Sequence, residues 1–203
     1  MRTKVEICNL ALSCLGEKST IENIDNPTKQ TEIVCSKWYD VSRRTALRQL
    51  MPSFARKREL WAEDADYKPA FGYEYAYKYK NECLKILGIG NIGNKEGYAV
   101  EDQHILINEY YEDGLPVRYV ADVKDLSIFS DDFVQMFAWF LARDICTELT
   151  ESSQKYGQIE EILAQKVQQF CSVDAQENKP IRVKNSDLLR ARSGLYPVGG
   201  RKK

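Results

Sequence analysis

The chain has 203 residues, 43% of them apolar and 29% charged, with a formal net charge of −1. That composition suits one compact domain with room for a small inserted lobe, and no apolar run approaches the roughly 20 residues that cross a bilayer. Glu6 and Asn9 interrupt the first apolar stretch and no small-residue cleavage site follows, so the N-terminus does not read as a signal peptide; the expected setting is a cytosol, or a particle assembled there.

The first predicted helix covers residues 3–16. Val5, Cys8, Leu12 and Leu15 make one stripe, widened by Ile7, Leu10, Ala11 and Cys14, and so wide an apolar face implies deep burial. Gly16 suits the left-handed position that ends helices. A polar loop leads to Asn26-Pro27, which reads as N-cap and first helical position. The second helix is expected over 27–50, with Val34, Trp38, Val41, Thr45 and Leu50 along one side. Arg43, Arg44 and Arg48 lie near its C-terminal end, where the helix dipole favours cations, and Pro52 stops it.

Residues 54–122 change character. Tyrosines are dense, and Tyr73-Glu74-Tyr75-Ala76-Tyr77 alternates with the period of a strand. Leu84 to Ile89 reads as a short apolar strand. His104 to Tyr111 and Val117 to Ala121 flank Asp113-Gly114, a hairpin signal. These features predict an antiparallel β-lobe of four or five strands.

Ser130-Asp131-Asp132 supplies an N-cap and two dipole-matched carboxylates for a third helix over 131–149, with Phe129 placed to staple onto Val134. Phe133, Phe137, Phe140, Leu141 and Ile145 form its apolar stripe, with Phe133, Phe137, Phe140 and Trp38 expected in the core. Ser152-Ser153 marks a short connection to a fourth helix over 153–172, carrying Ile159, Ile162, Leu163, Val167 and Phe170; a short link implies an antiparallel pair. The predicted fold class is α+β, mainly α: a four-helix core with a small antiparallel β-lobe inserted between helices 2 and 3. Residues 1–176 form one domain, and residues 177–203 an extended C-terminal arm.

The arm is where the charge separates. Glu177 to Lys203 holds eight basic and two acidic residues, a net of +6, which leaves 21 basic and 28 acidic before it, a net of −7. Leu188, Leu189, Leu195 and Tyr196 interrupt this aperiodic basic segment. A solvated end and an arm that orders against a partner both fit, although a purely disordered tail rarely holds such apolar anchors. The candidate partner-binding residues are therefore Arg182, Leu188, Leu189, Arg190, Arg192, Leu195 and Tyr196.

Motifs that carry chemistry are sparse. Gly88-Ile89-Gly90-Asn91-Ile92-Gly93 matches the spacing of a dinucleotide-binding turn, but such a turn must open a helix, and another glycine with no apolar helical period follows. A loop between strands is expected, without a cofactor. His104 is the sole histidine and reads as a surface strand residue. The six cysteines Cys8, Cys14, Cys35, Cys83, Cys146 and Cys171 form no paired C-x-x-C, so reduced buried thiols are expected in place of a metal site. Neighbouring carboxylates (Glu63/Asp64/Asp66, Glu101/Asp102, Glu112/Asp113, Asp131/Asp132) arise readily among 30 acidic residues. Arg56-Lys57-Arg58 beside Phe54 and Trp61 fits nucleic-acid contact or, more simply, a solvated segment. No residue is assigned a catalytic role.

Three segments resemble a known family. Cys8-Asn9-Leu10-Ala11-Leu12-Ser13-Cys14-Leu15-Gly16-Glu17 is similar to an opening helix of pattern N-x-A-L-x-x-L/I-G-E. Tyr39-Asp40-Val41 with Arg43, Arg44, Leu47, Pro52, Phe54-Ala55, Arg56 and Leu60 follows the second segment. Tyr75-Ala76-Tyr77 with Glu82-Cys83-Leu84-Lys85-Ile86 follows the third. Together they resemble the tail tubular protein A and head-to-tail adaptor family of tailed bacteriophages, although Ser53 stands where tryptophan is usual and Lys80-Asn81-Glu82 replaces Pro-x-Asp. The resemblance implies a structural virion protein without enzymatic activity, assembled in the host cytoplasm. It implies a homo-oligomeric ring, usually dodecameric, under the portal protein, with the arm reaching the portal. The next tail protein, or nozzle, would lie beyond it, and viral DNA would pass through the lumen without sequence-specific binding. Two other classes stay open: a tail-associated peptidoglycan or polysaccharide hydrolase, and a DNA-binding protein that uses the basic tail.

Overall fold

The computed structural model describes residues 3–18, 20–90 and 97–177. Four helices and two three-stranded antiparallel sheets make up the fold, in the order α1 (Lys4–Cys14), α2 (Gln30–Leu50), β1 (Arg56–Trp61), β2 (Tyr75–Lys78), β3 (Cys83–Ile89), β4 (Ala99–Glu101), β5 (His104–Ile107), β6 (Leu115–Ala121), α3 (Asp131–Thr150) and α4 (Ser153–Glu177). This is the α+β, mainly α architecture that the sequence predicts, with the lobe between helices 2 and 3. The last helix runs five residues past its expected end at 172.

Local chemistry sets the helix ends. Thr3 Oγ1 accepts from the Glu6 amide (3.2 Å) while the Glu6 carboxylate accepts from the Thr3 amide (3.0 Å), a reciprocal box that satisfies two otherwise orphaned donors. At the other end Gly16 takes φ +72°. The amides of Gly16 and Glu17 bond back to the carbonyls of Ser13 and Leu12, which is the glycine termination foreseen at this position. Asn9 then grips the returning loop: its amide side chain both accepts from Ile21 N (2.8 Å) and donates to Ile21 O (3.1 Å).

The second helix starts at Gln30 and not at Pro27. The reason is a carboxylate downstream. Glu32 accepts from the backbone amides of Thr28 (2.9 Å) and Lys29 (3.1 Å) and, through its other oxygen, from Glu22 (3.3 Å), so residues 27–29 are held as an extended lead-in. These amides hold the Glu32 carboxyl down to about 2. A depressed carboxylate stabilises the fold above its unfolded value and loses that effect as pH falls through the folded one. The wild-type melting temperature is therefore expected to drop between about pH 4.5 and 2 through this group. Glu32→Gln should be less stable at neutral pH and flatter across that window; parallel curves for the two proteins would sink the assignment.

The buried face of α2 also differs from expectation. Val34 and Leu50 are buried, but Val41 is 41% exposed, and Trp38 is half-buried at the edge of the core. The face that packs is Cys35, Tyr39, Ser42, Arg43, Ala46 and Leu47. Trp38 instead donates its Nε1–H to Glu148 on α3 at 2.9 Å, under the Lys37 ammonium. Helix α3 is the central one and packs against each of the other three. Phe133, Phe137, Phe140, Leu141 and Ile145 are wholly buried along it, as their spacing predicts.

The lobe has six strands in two sheets, where four or five were expected. Sheet A has the order β1-β6-β3 and sheet B the order β2-β5-β4. Leu115, Val117 and Tyr119 of β6 meet Ile105 and Ile107 of β5, with Trp61 and Tyr77, in a core separate from that of the helices. Alternation along β6 then turns Val120 to the other side, into the helical core. Asp113-Gly114 is not a hairpin. Gly114, at φ +98°, carries the chain from sheet B to sheet A, passing so close to β1 that a Cβ would meet the Trp61 carbonyl at 3.0 Å. The tight hairpin joins β4 to β5 through Asp102 and Gln103, both at positive φ (44° and 59°), a pairing normally supplied by Asn-Gly.

One buried ion links lobe and helices. Arg43 on α2 is 2% exposed. Its guanidinium pairs with Asp40 and with Asp122 just after β6, and donates to the Val123 carbonyl at 2.6 Å.

Candidate functional site

An open cleft of about 260 Å³ lies where α4 nears its end. Its walls are the turn Pro52–Phe54, the start of α3 (Ser130, Asp132, Gln135, Met136) and the α4 residues Lys166, Gln169 and Phe170. Phe54 is fixed there by rings on two sides, Phe129 at 5.4 Å and Phe133 at 5.1 Å. The Ser130 hydroxyl caps α3 by accepting from Phe133 N. The cleft is smaller than the sites that enclose drug-sized ligands. The arm residues Arg182, Leu188, Leu189, Arg190, Arg192, Leu195 and Tyr196 lie outside the described residues.

His104 is on a strand, as read, but it is not a surface residue. It is 9% exposed. Nε2 lies 3.0 Å from Asp64 Oδ2, Nδ1 2.7 Å from the Asp102 carbonyl, and the ring stacks on Tyr67 at 3.9 Å. The imidazole holds the Asp64 carboxyl below its usual range. Among the described residues neither ring nitrogen meets a serine, threonine or cysteine, so the arrangement is a clamp. It binds the segment after β1 over the outer face of sheet B.

Of the carboxylates named from sequence, the groups after β1 and at the end of β4 meet at His104, through Asp64 and the Asp102 carbonyl, while the others lie apart in the turn before β6 and in the first turn of α3. A different pair is drawn together by folding. Glu59 on β1 and Glu82 before β3 flank the Tyr119 phenol, which donates to Glu82 at 2.7 Å. Lys80 pairs with Glu59 at 2.5 Å and Lys57 with Glu82 at 3.3 Å. Sequence reasoning missed this cluster because its two carboxylates are 23 positions apart and Tyr119 is 37 beyond Glu82, and only the β1-β6-β3 order unites them. Lys80 holds Glu59 below the carboxylate range, and the Tyr119 hydroxyl does the same for Glu82. Glycoside hydrolysis needs one carboxyl raised, to act as acid, and here both are lowered.

The remaining motifs resolve simply. Gly88 and Ile89 belong to β3, Asn91 to Gly93 lie outside the described residues, and the next described element is the strand β4, where a dinucleotide turn would lead into a helix. Cys8 and Cys35 are fully buried between α1 and α2, where a hydrogen bond between the sulfurs and burial push the Cys8 thiol up. Among the described residues no group of three His, Cys, Asp or Glu is placed to hold a metal ion, and no helix is long and apolar enough to cross a membrane. Within the basic run, Arg56 donates to the Met51 carbonyl at 2.7 Å, Lys57 pairs with Glu82, and Arg58 is exposed on sheet A. In comparisons with known proteins, no family model and no curated protein matches the chain.

Proposed function

We propose that this chain is a structural adaptor of a tailed-phage particle, one copy of a ring that sits beneath the portal and joins it to the next tail protein, with residues 177–203 as the arm that engages the portal. The observation that carries the reading is the element order. A helix pair, an inserted two-sheet lobe and a second helix pair precede the basic segment, which is the order of the family that the sequence motifs resemble. The separation of charge supports it. An acidic body lets DNA slide through a lumen without adhering, because phosphate affinity comes from counterions released at cations. A basic arm with apolar anchors suits docking, leucines filling pockets and guanidiniums pairing with carboxylates. Identical arms on a ring act together, so weak single contacts are multiplied. The Glu59 and Glu82 pair lends the hydrolase alternative no support, because its lysine and tyrosine partners hold both carboxyls below the usual range.

Truncation after Gln176 tests the arm. The shortened chain should melt with the full-length protein, since every residue named in the two described cores precedes the cut. Its attachment to purified portals, counted by electron microscopy, should fall at least about tenfold, the loss expected when avidity is removed. Truncated protein that joins portals at wild-type efficiency would show the arm to be a solvated end.

A further inference from the structure

We infer that copies of this chain join through two different patches of the β-lobe, the basic patch of sheet A around Arg58 and Arg118 meeting the acidic, aromatic end of sheet B around Phe71, Tyr110, Glu112 and Asp113 of a second copy. This rests on the ring reading above and names the surfaces that would build it.

The first face is unusual in its charge. Arg58 on β1 stands directly opposite Arg118 on β6 in the antiparallel register. Since Val117 and Tyr119 point into the lobe core, Arg118 points the other way, together with Arg58. Like charges directly opposed on neighbouring strands are destabilising. Among the described residues neither guanidinium lies within ion-pair distance of a carboxylate, and Arg118 makes only a long contact to the Leu87 carbonyl, 3.4 Å. Leu60, two residues along on the same face, is 57% exposed, and β1 is an edge strand. Two arginines without a carboxylate partner among the described residues, beside an exposed leucine on an edge, make a surface that suits carboxylates and apolar cover.

The second face offers both. Phe71 is 89% exposed and Tyr110 54%. The Tyr110 ring packs on Tyr75 at 5.2 Å, and Glu74 N donates to Asn108 Oδ1 at 3.1 Å, so the two loops form one end of sheet B. Glu112 and Asp113 are exposed beside them. Arginine is the cation that both stacks on aromatic rings and pairs with carboxylates. A second copy is the occupant that this complementarity favours, because the chain carries both halves. Either patch against itself brings like charges together, so each patch pairs with the other kind. The two sheets pack face to face, and the segment leading to Phe71 lies over the outer side of sheet B through the His104 clamp. A contact between unlike patches, repeated from copy to copy, builds a closed ring or an open filament.

Charge reversal in two variants tests the pairing. Assembly of the full-length chain is followed by mass photometry and sedimentation, free and with purified portals. Arg58→Glu alone, and Glu112→Arg with Asp113→Arg alone, should each raise the concentration needed for assembly about tenfold or more. Mixed one to one, the two variants should assemble again in alternation, because every contact then regains opposite charges; recovery on mixing also shows that both are folded. Variants that assemble like wild type, or a mixture that fails to recover, overturn the pairing of these faces while leaving a wild-type ring intact. A wild-type chain that forms no ring, free or on portals, overturns both this inference and the adaptor reading.

Discussion

Arg43→Ala lowers the stability of the chain by about 3–5 kcal/mol, the usual cost of removing one partner from a buried ion pair. The magnitude follows from what is left behind. Asp122 is largely shielded, with a side chain 16% exposed, and its cation would be gone, while the Val123 carbonyl would lose a donor at 2.6 Å. Asp40 contributes less, being 70% exposed and screened by solvent. Asp122→Asn should also destabilise, and the double variant should cost less than the sum of the two, since the second change removes an ion already stranded. Urea denaturation of the four proteins measures this. An Arg43→Ala midpoint indistinguishable from wild type, or strictly additive losses, would show that the bond does not join lobe to helices.

Phe137→Ala should cost a comparable amount, about 3–5 kcal/mol, as a truncation that leaves a cavity in a packed core. Phe137 is fully buried at the centre of α3, edge-on to Tyr39 of α2 at 5.1 Å and 6.4 Å from Phe133. The helix it sits on is the one that the other three share, so the void opens where all the helices meet. Trp38→Ala is the informative partner measurement. Its ring is only half-buried and its Nε1–H bond to Glu148 faces outward, so its loss should be clearly smaller. Equal losses at the two positions would mean that α3 is not the centre of the helical layer.

These two residues also mark what could be read in the sequence. Phe137 belongs to a stripe of large apolar residues at helical spacing, and no competing face exists on α3. On α2 the packed face contains Ser42 and Arg43, while an apolar residue, Val41, stands outside. Hydropathy therefore points to the wrong side by about one residue. Ser42 is buried because its hydroxyl donates to Asp144 at 2.6 Å, and Arg43 because carboxylates from two elements reach it. Partners that are 80 to 100 residues away leave no mark on local periodicity. The hairpin was misplaced for a related reason. Asp113-Gly114 has the right composition, but Gly114 is spent on a close pass of Trp61, whereas Asp102-Gln103 makes the turn without a glycine. His104 reads as exposed until Asp64 and Tyr67 close over it. Of the functional features, the basic run 56–58 was legible as charge. Its opposition to Arg118, like the Glu59–Tyr119–Glu82 cluster, exists only through strand order.

That strand order has a consequence in time. The middle strand of sheet A, β6, is made last of the six, and both of its neighbours, β1 and β3, precede it. At ordinary rates of synthesis of about 5–20 residues per second, a ribosome needs about 3–12 s to pass from the end of β1 to the end of β6. Through that interval Trp61 and the edges of β1 have nothing to pair with, and Arg43 on the finished helix α2 waits for Asp122. The sheet cannot grow outward from a local hairpin; it closes all at once around its final strand. Pairings so distant in sequence are slow to form compared with helix contacts, so a helical layer ready early and a lobe completed late are built into the order of the chain.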